Sequence, residues 1–163
     1  MKTRISLVST GSLCALIAMA SIAEASDKKI YPATSCRPDA ESEGTVYYST
    51  SGAVYNVSTT ETLTLVCPVV RDNTADAWVA ISVVARNPGD AGVIWCTAES
   101  RYSSSTLYKK DDRYLGEGGT SWITVPFEAK PAPASGFYQI ICRLPRHSKQ
   151  YAPGIASYSV TEP

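Results

Sequence analysis

The sequence is poor in histidine and has no excess of charge of either sign. Its 163 residues include one histidine, His147, and 15 basic residues balance 15 acidic ones. A serine or cysteine nucleophile usually needs a histidine base, and we interpret His147, which lies between Arg146 and Lys149, as a solvated loop residue. The balanced charge argues against nucleic acid as a partner, because such proteins typically carry a basic excess.

Several motifs that carry chemistry are also missing. There is no Gly-x-Ser-x-Gly turn, no glycine-rich phosphate loop, no heptad pattern and no internal repeat. Paired carboxylates can hydrolyse glycosidic bonds or hold calcium, but the acidic residues lie in polar segments without apolar neighbours that would raise a pKa. We interpret the following as solvated surface groups: Asp39, Glu41, Glu43, Asp111, Asp112 and Glu117. We expect no enzyme activity, catalytic residue, cofactor or metal, and a carboxylate- or metal-dependent hydrolase is the least favoured hypothesis.

The longest apolar stretch is at the N-terminus, which has the pattern of a secretory signal. Lys2 and Arg4 form a basic start, residues 5–20 are largely apolar, and Ala23-Glu24-Ala25 has the small-x-small pattern of a cleavage site. We predict cleavage after Ala25, which leaves residues 26–163 as a single secreted or periplasmic domain. The apolar run is short and interrupted by serines, so we do not expect it to be retained as a membrane anchor. After the signal is removed we expect no membrane association.

Four cysteines remain once the signal and its Cys14 are removed: Cys36, Cys67, Cys96 and Cys142. An even number of cysteines in an exported protein indicates two disulfides. None of the four lies close to another in sequence, as zinc ligands usually do. The sequence permits three connectivities, and we favour Cys36–Cys67 with Cys96–Cys142. This pairing would tie the N-terminal segment to an early strand and a central strand to a late one.

The pattern after residue 25 is that of an all-β protein. Apolar residues alternate or form short runs, and clusters of Gly, Pro, Asn, Asp and Ser interrupt them at intervals typical of strands. Parallel neighbours require long crossovers, so about eight strands without helices between them favour an antiparallel β-sandwich, of jelly-roll or immunoglobulin-like type. A closed barrel is the alternative architecture.

Individual segments lead to more detailed predictions. Residues 78–85 form a continuous apolar run, which we interpret as a strand covered on both faces. The turn residues 87–90 and the alternating residues 93–98 indicate a hairpin with this strand at the centre of the sheet. The charged residues 109–113 and the glycine-rich residues 116–119 are typical of an exposed loop.

The chain contains ten tyrosines and three tryptophans, a supply of aromatic rings that suits a binding protein. We predict that Trp78, Trp95, Tyr138 and Tyr158 lie in the core. Four tyrosines near loops are the better candidates for a binding surface: Tyr102, Tyr108, Tyr114 and Tyr151. The leading hypothesis is a non-enzymatic module that binds a protein or a glycan. The alternative is a secreted enzyme inhibitor or toxin-like effector, with residues 109–119 as its projecting loop.

Several short motifs occur in a fixed order with the four cysteines: Cys36-Arg37-Pro38, Val66-Cys67-Pro68, Cys96-Thr97 and Cys142-Arg143-Leu144-Pro145. In this frame the sequence resembles a family of uncharacterised secreted proteins of Gram-negative bacteria. The resemblance covers most of the mature chain. It implies an exported, cysteine-paired β domain and supports the favoured pairing, but it implies no activity.

Overall fold

In a computed structural model, the chain forms an antiparallel β-sandwich. The structure describes residues 27–42, 46–72, 79–88, 92–116, 121–129, 132–147 and 151–162, so the predicted signal and Trp78 lie outside the described residues. The strands are β1 (Asp27–Pro32), β2 (Arg37–Pro38), β3 (Val46–Tyr48), β4 (Val54–Asn56), β5 (Leu63–Val69), β6 (Val79–Arg86), β7 (Ile94–Arg101), β8 (Leu107–Leu115), β9 (Ile123–Ala129), β10 (Phe137–Leu144) and β11 (Gly154–Glu162). A 3-10 turn, Ala33–Ser35, separates the first two strands. Among the described residues, no helix is long and apolar enough to cross a membrane.

The strands form two sheets with antiparallel pairing throughout. The first sheet has the order β3-β4-β11-β6-β9, with β1 also paired to β11, and the second has the order β2-β5-β10-β7-β8. Strands β6 and β10 bury every second residue. These buried faces meet between the sheets and form one core. The predicted antiparallel sandwich is therefore confirmed.

The predicted hairpin between residues 78–85 and 93–98 is wrong. Strand β6 pairs with β11 and β9 in the first sheet, whereas β7 pairs with β10 and β8 in the second. The chain thus crosses from one sheet to the other between these two strands. The prediction that β6 is covered on both faces is also wrong, because Ala80 is exposed and only alternate residues are buried. A continuous apolar run has no period that would reveal which face is covered.

The core contains two of the predicted tyrosines. Tyr138 and Tyr158 are each 1% exposed, and each phenol has a hydrogen bond, as buried polar groups require. The Tyr158 hydroxyl donates to the carbonyl of Pro68 at 2.7 Å, and the Tyr138 hydroxyl accepts from the N–H of Ala132 at 2.9 Å. Burial raises the pKa of Tyr158 to about 12.

The two disulfides lie in the core and join the pairs favoured above. Cys36–Cys67 fastens the N-terminal segment to β5. Cys96–Cys142 connects β7 with β10, where the two residues are direct cross-strand partners. Constraining the unfolded chain in this way stabilises a domain by roughly 2–4 kcal/mol for each bridge. The second bridge lies beneath the surface described next.

Candidate functional site

Strand β8 corrects the predicted exposed loop at residues 109–113. These residues belong to Leu107–Leu115, which pairs with β7 along its length at the edge of the second sheet. The charges alternate between the two faces: Lys110 pairs with Asp112 at 2.8 Å, and Arg113 with Asp111 at 2.9 Å. Charged residues are common on edge strands because they discourage pairing with another chain. Most of the glycine-rich segment at 116–119 lies outside the described residues. The projecting loop of the inhibitor hypothesis is therefore a strand up to Leu115.

The outer face of the second sheet carries nine side chains in three cross-strand rows from β10, β7 and β8. The register sets the rows as Arg143–Trp95–Tyr114, Ile141–Thr97–Asp112 and Gln139–Glu99–Lys110. We call these nine residues the grid. Side chains of alternate residues point to the same face of a strand, so residues far apart in sequence become neighbours.

The first row places an arginine and two aromatic rings side by side. The rings of Trp95 and Tyr114 are 5.8 Å apart between centroids and nearly parallel, at 19°. The guanidinium carbon of Arg143 lies 5.0 Å from the centroid of the Trp95 ring, within the range of a cation–π contact. Tyr114, which ends the row at the sheet edge, is 63% exposed. The prediction that Trp95 lies in the core is wrong, since it is partly exposed and faces away from buried Ile94 and Cys96.

The carboxylate of the second row lies between a hydroxyl of the same row and the ammonium group of the third row. Thr97 donates its hydroxyl to Oδ1 of Asp112 at 2.7 Å, and Lys110 contacts Oδ2 at 2.8 Å. These two donors, Lys110 first, lower the pKa of Asp112. The same ion pair raises the pKa of Lys110. Both groups are therefore charged and bound to each other at neutral pH.

The third row has a buried carboxylate at its centre. Glu99 is only 7% exposed, and its Oε2 accepts hydrogen bonds from Nε of Arg101 at 2.7 Å and Nε2 of Gln139 at 2.8 Å. A buried carboxylate needs such partners because its desolvation is costly. The charge of Glu99 is thus compensated within the protein.

The grid surrounds an open depression of about 190 Å³. Six of its side chains line the depression: Trp95, Thr97, Glu99, Lys110, Ile141 and Arg143. Aromatic and aliphatic side chains lie beside hydrogen-bond donors and acceptors. This combination is typical of ligand sites. The strands hold these side chains, and the Cys96–Cys142 bridge joins two of those strands directly beneath them.

The four tyrosines predicted as binding residues lie in three places. Tyr114 belongs to the grid. Tyr102 and Tyr108 contact each other edge to face at 5.3 Å, at the other end of the β7–β8 hairpin, and Lys109 lies 5.6 Å from the Tyr108 ring. Tyr151, 46% exposed, precedes β11. The structure therefore brings only Tyr114 together with other aromatic and polar groups of the grid.

Sequence reasoning missed most of the grid, namely Trp95, Thr97, Glu99, Lys110, Gln139, Ile141 and Arg143. A signal for part of it was present, because Ile94, Cys96 and Ala98 alternate with Trp95, Thr97 and Glu99 in β7. Of the acidic residues considered for catalysis or calcium, Glu43 and Glu117 lie outside the described residues. In the part of the chain that the structure describes, no three His, Cys, Asp or Glu side chains could hold a metal ion.

A second aromatic cluster lies on the outer face of the first sheet. Tyr47 and Tyr55 are cross-strand partners with centroids 6.1 Å apart, and Tyr55 lies 6.2 Å from Trp122. The guanidinium carbon of Arg86 is 5.1 Å from the Tyr55 ring and 4.9 Å from the Trp122 ring. We call Tyr47, Tyr55, Arg86 and Trp122 the strip. The Tyr55 ring lies against Gly154, where an added Cβ would be 2.5 Å from Cδ1 of the ring.

Comparisons with known proteins identify the fold but no family. No protein-family model matches the chain, and no curated protein matches it. Among solved structures, the chain is similar to the C-terminal CBM6 of LamC, a marine laminarinase from Zobellia galactanivorans, with 12% identity and a TM-score of 0.51 over 83% of this chain and all of that one. It is also similar to the xylan-binding module CBM15, with 13% identity and a TM-score of 0.55 over 84% and 97% of the two chains. At these identities the likeness shows the β-sandwich fold alone.

Proposed function

We propose that this protein is an exported, non-catalytic carbohydrate-binding module that binds its glycan on the grid. The observation that carries the proposal is the row Arg143–Trp95–Tyr114 beside a depression lined with polar side chains. The likeness to the sandwich of two carbohydrate-binding modules supports it at the level of the fold.

The chemistry of the grid matches the two kinds of surface on a sugar ring. The apolar face of a sugar packs on an aromatic ring, and Tyr114 is a largely exposed aromatic residue at the sheet edge. Sugar hydroxyls both donate and accept hydrogen bonds, and the depression offers the hydroxyl of Thr97, the ammonium group of Lys110 and the guanidinium of Arg143. Trp95 borders the depression and stacks against the Tyr114 ring.

The proposed location is the cell exterior or the periplasm. Two disulfides within one small domain are typical of oxidising compartments. The signal pattern ending at Ala25 and the resemblance to secreted Gram-negative proteins support the same location. A glycan-binding module in that location has access to polysaccharides outside the cytoplasm.

The test is binding of the oxidised mature protein to a broad glycan array, followed by isothermal titration calorimetry with the polysaccharide that binds best. We expect Tyr114→Ala and Trp95→Ala to weaken binding at least about tenfold, which corresponds to about 1.4 kcal/mol. Tyr151→Ala is the matched control, because it removes an exposed ring outside the grid, and it should bind like the wild type. Absence of binding to every glycan, or full affinity in both grid variants, would contradict the proposal.

A further inference from the structure

Arg143 differs from the other charged groups that face the depression. Lys110 is held by Asp112, and Glu99 by Arg101. The guanidinium of Arg143 is exposed and forms no ion pair or hydrogen bond with any residue that the structure describes; its contact is the face of the Trp95 ring. Among the charged groups at the depression, Arg143 is therefore the one whose charge no described residue neutralises.

The cation–π contact with Trp95 restricts how Arg143 can contact a ligand. A guanidinium packed on a ring keeps the N–H groups at its edge available, and these form a planar fork that matches a carboxylate or a sulfate group. Because the cation–π contact already holds the side chain, less conformational entropy is lost when an anion binds. The guanidinium of Arg143 is thus preorganised to bind a negatively charged group beside the proposed sugar-binding surface.

We infer that the preferred glycan is acidic, and that Arg143 binds an anionic substituent on the sugar while Tyr114 contacts a sugar ring. This inference rests on the proposed function. The shared chemistry of the substituent is a planar or tetrahedral oxyanion, either the carboxylate of a uronic acid or a sulfate ester. The ion pairs of Lys110 and Glu99 leave Arg143 as the recognition group for this anion.

The experiment compares acidic polysaccharides with their neutral counterparts by calorimetry. One arm uses a uronic-acid polysaccharide and the same polymer after carboxyl reduction, and the other uses a sulfated galactan before and after desulfation. We expect the wild type to bind one acidic polymer at least about tenfold more tightly than its neutral form, with an affinity that falls as salt is added. The arm that shows the preference identifies the anion.

Variants then test whether Arg143 is responsible. Arg143→Gln should lower affinity for the acidic polymer about tenfold and affinity for the neutral polymer by a much smaller factor, so that the preference for the acidic polymer is lost. Arg146→Gln is the matched control, because it removes the same charge at an exposed position beyond the grid, and it should bind like the wild type. Arg143→Lys keeps the charge without the planar fork and should retain only part of the preference.

The outcomes separate this inference from the proposed function. Equal affinity for acidic and neutral polymers, with binding still abolished by Tyr114→Ala, would overturn the acidic preference and leave glycan binding supported. An equal loss on both polymers in Arg143→Gln would also overturn it, since Arg143 would then act only by supporting Trp95. Failure to bind any polymer would contradict the proposed function itself.

Discussion

The two outer faces of the sandwich each combine an arginine with aromatic rings, but in different ways. In the strip, Arg86 lies between Tyr55 and Trp122 with contacts of 5.1 and 4.9 Å, and its buried Nε has no hydrogen-bond partner among the described residues. In the grid, Arg143 contacts one described ring and is exposed. The guanidinium of Arg86 is therefore enclosed by protein side chains, whereas the guanidinium of Arg143 is accessible to a ligand.

The support beneath the two clusters also differs. The grid stands on strands joined by the Cys96–Cys142 bridge, with a lining of paired polar groups. The strip depends on a position without a side chain, because Gly154 leaves the space that the Tyr55 ring occupies. Similar residue types thus form the proposed ligand surface in one place and a packing contact in the other. Each of the following variants should affect one cluster and spare the other.

The largest effect is expected from removing the bridge beneath the grid. The double variant Cys96→Ala with Cys142→Ala opens a loop of 46 residues, for which the chain-entropy model gives about 4 kcal/mol of lost stability. Denaturant unfolding measures the change. Because the bridge joins β7 to β10, glycan affinity should fall as well, even where the variant is folded. A stable variant with full affinity would show that the strands hold the grid without the bridge.

The next largest effect is expected at the strip. Gly154→Ala places a Cβ 2.5 Å from the Tyr55 ring and 2.8 Å from the carbonyl oxygen of Val54, and such overpacking typically costs about 1–3 kcal/mol. Unfolding experiments should show this loss, while calorimetry should show unchanged glycan affinity. Gly116→Ala is the matched control, because its added Cβ meets nothing within 4 Å. A loss of affinity in Gly154→Ala would mean that the strip also takes part in binding.

A smaller effect is expected from Arg86→Gln, which removes two cation–π contacts. At about 0.5–1 kcal/mol each, their loss should lower the free energy of unfolding by about 1–2 kcal/mol, with no change in affinity for the acidic polymer. Arg143→Gln should show the reverse, with a small change in stability and a clear loss of affinity. If both variants weakened binding, the contrast between the enclosed and the open arginine would be wrong.

The smallest effect concerns the pH dependence of the grid. Lys110 and Thr97 lower the pKa of Asp112 from its ordinary value of 3.8, so the stability that its charge contributes is present above that value and is lost as the pH falls through the lowered pKa. The difference in melting temperature between the wild type and Asp112→Asn should therefore shrink when the pH is lowered from 5 towards 2. A constant difference over that range would show that the charge of Asp112 contributes nothing.

The candidate site was less predictable than the fold, for reasons visible in particular residues. Tyr114 was predicted as a surface residue from its own neighbourhood in the sequence. Arg143 and Trp95 gave no such signal. They are 48 residues apart in sequence and become neighbours only because strands β10 and β7 pair. Strand β8 was missed because an edge strand can carry a run of charged residues, and its residues therefore resemble a loop.

The sequence by itself determined the local period and the covalent frame. Alternating apolar residues, frequent turn residues and four cysteines were sufficient for an antiparallel sandwich with two disulfides and for a core containing Tyr138 and Tyr158. Only the tertiary structure decided which strands share a sheet, that β6 and β7 lie apart, and that Arg143, Trp95 and Tyr114 form one row. The physical reason is that strand pairing joins residues distant in the chain, and its register is set by burial of whole faces rather than by local preference.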